Sequence, residues 1–371
     1  MTRLLRNTDW LMLGSAILIS LAGLVSMYGF GGTENYASHQ LIWLVLGIGI
    51  FFACEAADFR FLRRTGVVVA VYVFAIVFLL LLFVAGSSVN GARSWFHIGA
   101  FAMQPADPAK LALIMVLAKY FSRRHIEIAH FRHIIVSGVY AFIMFALLFL
   151  QPDFGEAIIV TAVWVGMVLV SGIPLRRLAL IAALGAVAVS LLWMFGLHQY
   201  QKERILTFLH PLADVSGAGY NAFQSTVAVG SGGVFGKGIG YGTQSRLQFL
   251  PEHQTDFIFA SFAEEWGLIG TLMLLGLFGL LLYRLIDAAR HGATNFESLF
   301  TLGVAVLLLA HGVIHIGMNI GLLPVTGVPF PFMSYGGSHL VTGYAMLGIV
   351  NSMRQYSRAR DAHDREVIGV V

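Results

Sequence analysis

The sequence predicts an all-α polytopic membrane protein, and three observations carry that reading. Of its 371 residues 58% are hydrophobic and only 11% are charged, against about 25% charge in an ordinary soluble domain. The mean hydropathy is +0.80. Apolar runs near twenty residues long recur along the whole chain, with the basic residues in short clusters between them. Lipid is therefore the solvent, and backbone polar groups that cannot go unpaired in lipid close into helices. An outer-membrane barrel would show alternating ten-residue strands instead, and that pattern is missing.

The elements follow in order. The run Trp10 to Phe30 comes after Arg3 and Arg6 and is long enough to span. No small-residue cleavage site clearly follows it, so it reads as a retained first helix rather than a signal peptide. At about 20 residues per crossing, spans fall near 10–30, 39–57, 67–86, 108–121, 134–150, 155–172, 178–196, 257–284, 297–320 and 338–353. The chain is thus one membrane domain, 1–371, of about ten helices. The long intervening segments are about 87–107 and 197–256, the second lying between helices seven and eight.

Charge sets the orientation. With both termini inside, the inner segments hold 17 of the 23 Lys and Arg residues, as the cytoplasmic side should. The six on the outer side are Arg93, Lys110, Lys202, Arg204, Lys237 and Arg246, all in or beside the two long outer segments. Such segments translocate largely regardless of charge. The net charge of +4 sits in this loop pattern, so it does not point to nucleic acid. The single cysteine, Cys54, allows neither an intramolecular disulfide nor a cysteine metal cluster. No internal repeat supports an inverted-repeat transporter.

Phe249 to Ala260 runs from polar loop into apolar helix and places Asp256 at the outer mouth of the eighth span, with Glu252 and Thr255 beside it. Thr255 or Asp256 can cap that helix. Alternatively, Asp256 is a carboxylate held ionised beside the bilayer and able to accept a proton. Glu264 and Glu265 follow, roughly 12–14 Å down the helix, where a carboxylate signals function or a matched buried pair.

Gly230 to Ser245 holds seven glycines in thirteen residues, with Ser231, Lys237, Gln244 and Ser245. It fits neither the Walker nor the dinucleotide pattern. Its amides and Lys237 could still hold a diphosphate, or the run is a structural loop. In Gln104 to Lys110, Asp107 and Pro108 suit a helix start, and Lys110 can pair with Asp107 three residues back. Gln151 to Glu156, with Asp153, and Tyr200 to Arg204 read as linkers with solvated charges. His311 and His315 have helical metal-ligand spacing, but no third ligand is evident, so a buried hydrogen-bonded pair is the better reading. His125, His130 and His133 read as a solvated inner cluster.

Taken together these motifs resemble the SEDS family of peptidoglycan glycosyltransferases, RodA and FtsW, over nearly the whole chain. The resemblance rests on the Gly-rich run, Phe249 to Ala260, Ala263 to Gly267, Gln151-Pro152-Asp153, Gly321 to Pro329 and Ser334 to Ser338. Gly236-Lys237-Gly238 and Gly242 to Ser245 look more like the elongation branch, RodA. The resemblance implies polymerisation of lipid II into glycan strands at the outer face of the bacterial cytoplasmic membrane, with a class B penicillin-binding protein as crosslinking partner. Asp256 falls on the family's essential aspartate. Two positions depart from the family pattern: its usual Ser-Glu is Ala106-Asp107 here, and His339 stands where a small hydroxyl residue is common.

The implied reaction is an inverting transfer in which Asp256 takes the proton of the acceptor 4-hydroxyl. Lys237, Arg204, Arg246 and Lys110 would steady the leaving diphosphate, with Ser231, Gln244 and Ser245 lining its site. Asp107, Asp153, Glu252, Thr255, Glu264, Glu265 and Ser334 would give support. No cofactor is implied with certainty. A divalent metal ion is left open, and the sequence shows no ligand cluster for one. The rival readings are a flippase for lipid-linked precursor, which Glu264 and Glu265 would serve, and a non-catalytic scaffold.

Overall fold

Each apolar run has an identifiable start and stop. A computed structural model of the chain describes residues 7–30, 35–89, 92–98, 101–123, 131–172, 219–247 and 249–368, and in between 179, 183, 185–187, 190–196, 202, 206 and 208. Helix α1 (Trp10–Gly29) is capped by Asp9, which accepts from the Met12 amide at 3.2 Å, and α2 is Tyr36–Ala56. A 3₁₀ turn over Phe59–Arg63 leads into α3 (Thr65–Ala85). Next come α4 (Ala106–Ser122), α5 (Phe131–Leu150) and α6 (Phe154–Val170), the last capped by Asp153. Further along come α7 (Tyr220–Ser231), a single turn α8 (Thr243–Arg246) and α9 (Ile258–Arg290). The last two are α10 (Asn295–Asn319), capped by Thr294 with Glu297 three residues on, and α11 (Gly337–Ile368).

Six of these helices are long and apolar enough to cross a membrane, and Phe154–Val170 is a shorter apolar one. The spans expected near residues 108–121 and 338–353 coincide with α4 and α11. Within the span expected at 178–196 the described residues are helical, ending in a π-helical turn over Leu192–Gly196. At the centre, α4 packs against α3 and α10, α10 against α6 and α9, α1 against α9, and α2 against α11. Helix α4 is buried along nearly its whole length.

Between α3 and α4 a small antiparallel sheet forms from β1 (Ser87–Val89), β2 (Ala92–Ile98) and β3 (Phe101–Met103), in the order β1-β2-β3. Val89 pairs with Ala92, leaving Asn90-Gly91 between the strands, the dipeptide that best suits a two-residue hairpin. The sheet positions Ser94, whose hydroxyl donates to Asp153 at 3.0 Å.

The helix ends away from Asp107 and Asp256 gather a second set of charges. Arg284 donates to Asp9 at 2.8 Å, and Arg354 bridges Asp9 and Asp287. Burial alone would raise the Asp9 pKa, but hydrogen bonding from Arg284 and the Arg354 charge outweigh it and hold the group below the ordinary carboxylate range. Glu55 accepts from Thr8 (2.7 Å), Asn351 (2.8 Å) and Gln355 (2.7 Å). Arg63 pairs with Glu297, and Lys119 donates to the Arg63 carbonyl. Lys119 and Arg284 thus sit at the far ends of the helices that Asp107 and Asp256 begin.

Candidate functional site

The turn before α9 is built by one carbonyl. The amides of Thr255, Asp256 and Phe257 converge on the Glu252 oxygen at 3.1, 3.0 and 3.3 Å. Glu252 itself takes the left-handed conformation, φ +49°, an unusual setting for a side chain with a Cβ. The Thr255 hydroxyl donates back to Glu252, at 3.3 Å to its carbonyl and 3.2 Å to its carboxylate. Leu250 and His253 are buried beneath, with His253 edge-on to Phe30 at 4.4 Å and its Nδ1–H donating to the Leu250 carbonyl at 3.0 Å. Burial pushes the His253 pKa down.

Neither Thr255 nor Asp256 caps α9, contrary to one sequence expectation. The cap position is Phe257, with no side-chain cap of its own. Asn319 at the end of α10 does the work in trans: its Oδ1 accepts from the Ala260 amide, the third helical residue, at 3.1 Å. Its Nδ2 donates to the carbonyls of Asp256 (3.0 Å) and His315 (2.8 Å). The Asp256 main chain is therefore held from both sides, by the Glu252 carbonyl and by Asn319. Asn319 was missed from the sequence, where only a polar residue closing an apolar span could have signalled it.

The loop after α10 walls the other side. Ser334 Oγ donates to the Thr255 carbonyl at 2.8 Å and accepts from the Phe330 amide at 2.8 Å, while the Tyr335 amide donates to the Gln254 carbonyl at 2.9 Å. Gln40 of α2 clamps the same loop through Ser334 and Gly336, at 3.1 and 3.3 Å. A Cβ added to Gly327, φ +75°, would lie 3.5 Å from Asp256 Oδ2. The missing side chain leaves room beside the carboxylate.

The Gly-rich run folds as a structural loop against α9. Glu264, fully buried, accepts from Lys237 Nζ (2.7 Å), the Thr243 amide and hydroxyl (both 3.0 Å), the Gln244 amide (3.1 Å) and Ser231 (3.5 Å). Glu265 accepts from the Gly240 amide at 3.0 Å. The amides of Lys237 and Gly238 donate to the carbonyls of Glu264 and Glu265, both at 3.0 Å. The amides of Lys237, Gly238, Gly240, Thr243 and Gln244 and the Lys237 ammonium are thus engaged by protein oxygens. Ser245 is buried, Arg246 is exposed on the surface, and Arg204 lies outside the described residues.

Glu265 lies beside the last turn of α1. A Cβ on Gly29, the last residue of α1, would lie 2.9 Å from Glu265 Oε1 and 2.8 Å from the Gly240 Cα. A 20-residue helix is about 30 Å long, one hydrocarbon thickness, so Glu265 is level with the end of a complete span. Helix α9 breaks just beyond, at Gly267 (φ +65°, ψ −164°), a region essentially reserved for glycine. The loop repairs the break, because Leu268 and Ile269 donate to the carbonyls of Gly233 (2.9 Å) and Val234 (3.2 Å). A Cβ at 267 would strike the Gly236 amide and sit 2.7 Å from the Val234 oxygen. Gly267→Ala is expected to lose about 1–3 kcal/mol of stability and to expose residues 230–245 to protease. Thermal unfolding and limited proteolysis check this.

Lys110 is not an outer-surface cation. It is 2% exposed and its ammonium meets three acceptors: Asp107 at 3.1 Å, Glu156 at 2.8 Å and His311 Nε2 at 3.3 Å. His311 Nδ1 lies 3.2 Å from the Pro329 carbonyl, which can only accept. That nitrogen bears the proton, so Nε2 receives from Lys110. All three ammonium donors are thereby used, which corrects the expectation that Lys110 binds a diphosphate. Asp107 does not cap α4, whose cap position is Pro105. His339 Nδ1 approaches Asp107 Oδ1 at 3.4 Å. Asp107, Lys110, His311 and His339 share a cavity with Phe332 and Met346.

The Gln151 to Glu156 segment is not a solvated linker, as its charges suggested. Gln151 is buried and donates to the Leu79 carbonyl at 2.8 Å, and Glu156 is buried against Lys110. Asp153 accepts from Ser94 and Gln104 Nε2 (3.3 Å) and from the Glu156 amide. Burial pushes its pKa up, partly offset by those bonds and by the Lys110 charge. His311 and His315 are the buried, hydrogen-bonded pair expected, with His315 Nδ1 at 2.7 Å from the Val328 carbonyl. Among the described residues no cluster of three or more acidic, His or Cys side chains could hold a metal ion. His133 is buried beside Tyr120 (2.8 Å) rather than solvated, while His125 and His130 lie outside the described residues.

The sequence pattern of the FtsW, RodA and SpoVE cell cycle proteins matches residues 2–359. The chain belongs to this family, the SEDS proteins. It is similar to the peptidoglycan glycosyltransferase MrdB of Escherichia coli K12, 38% identical over 287 residues that cover 77% of each chain. Among solved structures, it is similar to a chain in a structure described as "structural coordination of polymerization and crosslinking by a peptidoglycan synthase complex". That likeness has a TM-score of 0.80 at 32% identity, covering 94% of this chain and 98% of the other. The rod shape determining protein RodA of Thermus thermophilus matches with a TM-score of 0.70 at 30% identity, over 94% and 96% of the two chains.

Of the site residues expected in this SEDS chain, Asp256, Glu252, Thr255 and Ser334 come together at the head of α9. Asp107, Lys110 and Asp153 form a second group at the heads of α4 and α6. Ser231, Lys237, Gln244, Glu264 and Glu265 form a third, which holds the Gly-rich loop to the broken helix.

Proposed function

We propose that this SEDS protein is a peptidoglycan glycosyltransferase that polymerises lipid II at the outer face of the cytoplasmic membrane, with both termini inside and about ten membrane crossings. The observation that carries the reading is the placement of Asp256. Its peptide is pinned by Glu252, Asn319 and the Ser334 loop, and the glycine at 327 leaves space beside its carboxylate. A carboxylate fixed at a helix head beside the bilayer can accept a proton from a sugar hydroxyl as that oxygen attacks the donor's anomeric carbon. The bond to the lipid diphosphate then breaks and the diphosphate leaves with the electron pair.

The leaving diphosphate needs cations. Lys110 and Lys237 are committed to carboxylates, so the charge falls to exposed Arg246, to Lys202 and Arg204 of the long outer segment, and to a divalent metal ion where one takes part. A class B penicillin-binding protein is the proposed partner, as the likeness to a synthase complex supports, and the RodA-like motifs favour a role in cell elongation. The flippase alternative loses its main support, since Glu264 and Glu265 are engaged in anchoring the Gly-rich loop.

The test is purified protein, with and without its partner, given labelled lipid II. Glycan polymer is the expected product. Lipid II crossing liposome membranes with no polymer formed would favour the flippase instead.

A further inference from the structure

We propose that Ser225 is a positioning residue for Asp256, and that through it helix α7 becomes part of the framework that aims the carboxylate. Helix α7 turns one face inward: Ser225 and Ala228, three residues apart, are both fully buried. Ala228 packs with Leu250, Phe257 and Ala260 in a small apolar cluster separate from the main core. Helix α7 also packs against both α9 and α10. It is therefore seated on the turn that carries Asp256.

Ser225 acts at a helix end. Asn319 closes α10, and the carbonyl of a last helical residue has no acceptor role within its own helix. The Ser225 hydroxyl donates to that carbonyl at 2.9 Å, with Asn319 Oδ1 at 3.3 Å. Both residues are 0% exposed, so bulk water does not stand ready to replace the hydroxyl. Leaving a buried acceptor unsatisfied costs more than the bond itself contributes.

The same asparagine carries the hold onward. Its Oδ1 accepts from the Ala260 amide and its Nδ2 donates to the carbonyls of Asp256 and His315. With Ser225 also at Oδ1, both donors and both acceptor sites of the carboxamide are engaged. That fixes its orientation: turned over, it would set N–H against the Ala260 N–H and oxygen against the Asp256 carbonyl. Serine thus fixes asparagine, and asparagine fixes the peptide of Asp256. Ser225 itself is buried out of a substrate's reach, so its loss changes the aim of the carboxylate and removes no substrate contact.

The test compares wild type with Ser225→Ala, Asn319→Ala and the double variant Ser225→Ala/Asn319→Ala, each purified with its partner and read for kcat and KM in lipid II polymerisation. One neutral hydrogen bond predicts about a fivefold fall in kcat for Ser225→Ala, with KM within about twofold of wild type. In the Asn319→Ala background the carboxamide link to Asp256 is already gone, so adding Ser225→Ala should change kcat by less than about twofold. An unchanged kcat in Ser225→Ala, a loss confined to KM, or the full fivefold fall repeated in the double variant would overturn the assignment. Hydrogen exchange over residues 255–261 gives a second reading that needs neither activity nor the Asn319 variant. Ser225→Ala is expected to speed exchange there about fivefold, and unchanged exchange would reject the link. The kinetic arm rests on the polymerase reading, and the exchange arm does not. If wild type itself makes no polymer, that reading fails, while faster exchange in Ser225→Ala would still uphold the hold of α7 on the Asp256 turn.

Discussion

Replacing Asp256 with Asn is expected to lower lipid II polymerisation by at least about 10²-fold, within the 10²–10⁴ that general-base help supplies. The amide keeps the shape of the side chain and removes its capacity to take a proton. The turn is held by the Glu252 carbonyl, the trans cap of Asn319 and the Ser334 bridge, all acting on backbone atoms. Melting temperature and partner binding are therefore expected to match wild type, which separates a chemical loss from a structural one. Polymer made at near wild-type rate by Asp256→Asn would remove the carboxylate from the mechanism.

The helices were legible because lipid enforces them: each apolar run of α1 to α3, α9 and α10 has one viable backbone form. The chemistry was legible at Asp256, where a carboxylate interrupts the entry to an apolar helix. Partnerships between distant residues were not. Nothing local marks Glu264 as the anchor of Lys237, which is 27 residues away, or Asn319 as the cap of a helix beginning 61 residues earlier. Charge alone made Lys110, Asp153 and Glu156 look like surface groups, yet packing buries each of them or its bonding atoms. Gly267 carried the sharpest hidden constraint, since a glycine within a helical run is compatible with an unbroken helix until its φ is known.

Lys110→Met should produce the largest loss of stability. The ammonium is enclosed, and its removal leaves Asp107 and Glu156 as uncompensated carboxylates in a site that excludes water. Breaking a buried pair from one side typically costs about 3–5 kcal/mol, a large share of the total stability of a typical fold. Lys110→Arg is expected to fail as well, because a planar fork cannot direct its donors to three acceptors that the tetrahedral ammonium satisfies. The cause is charge left unpaired rather than volume lost, and that distinction can be measured. Adding Asp107→Asn and Glu156→Gln to Lys110→Met removes both stranded charges at nearly constant shape, and the triple variant should regain most of the lost melting temperature. Its polymerisation should stay low, because His311 loses the ammonium that holds its Nε2 and the Pro329 strand beside Asp256 loses its tether. Equal melting temperatures for Lys110→Met and wild type would show that the cluster carries no buried charge, and the account of α4 as an electrostatic centre would fall.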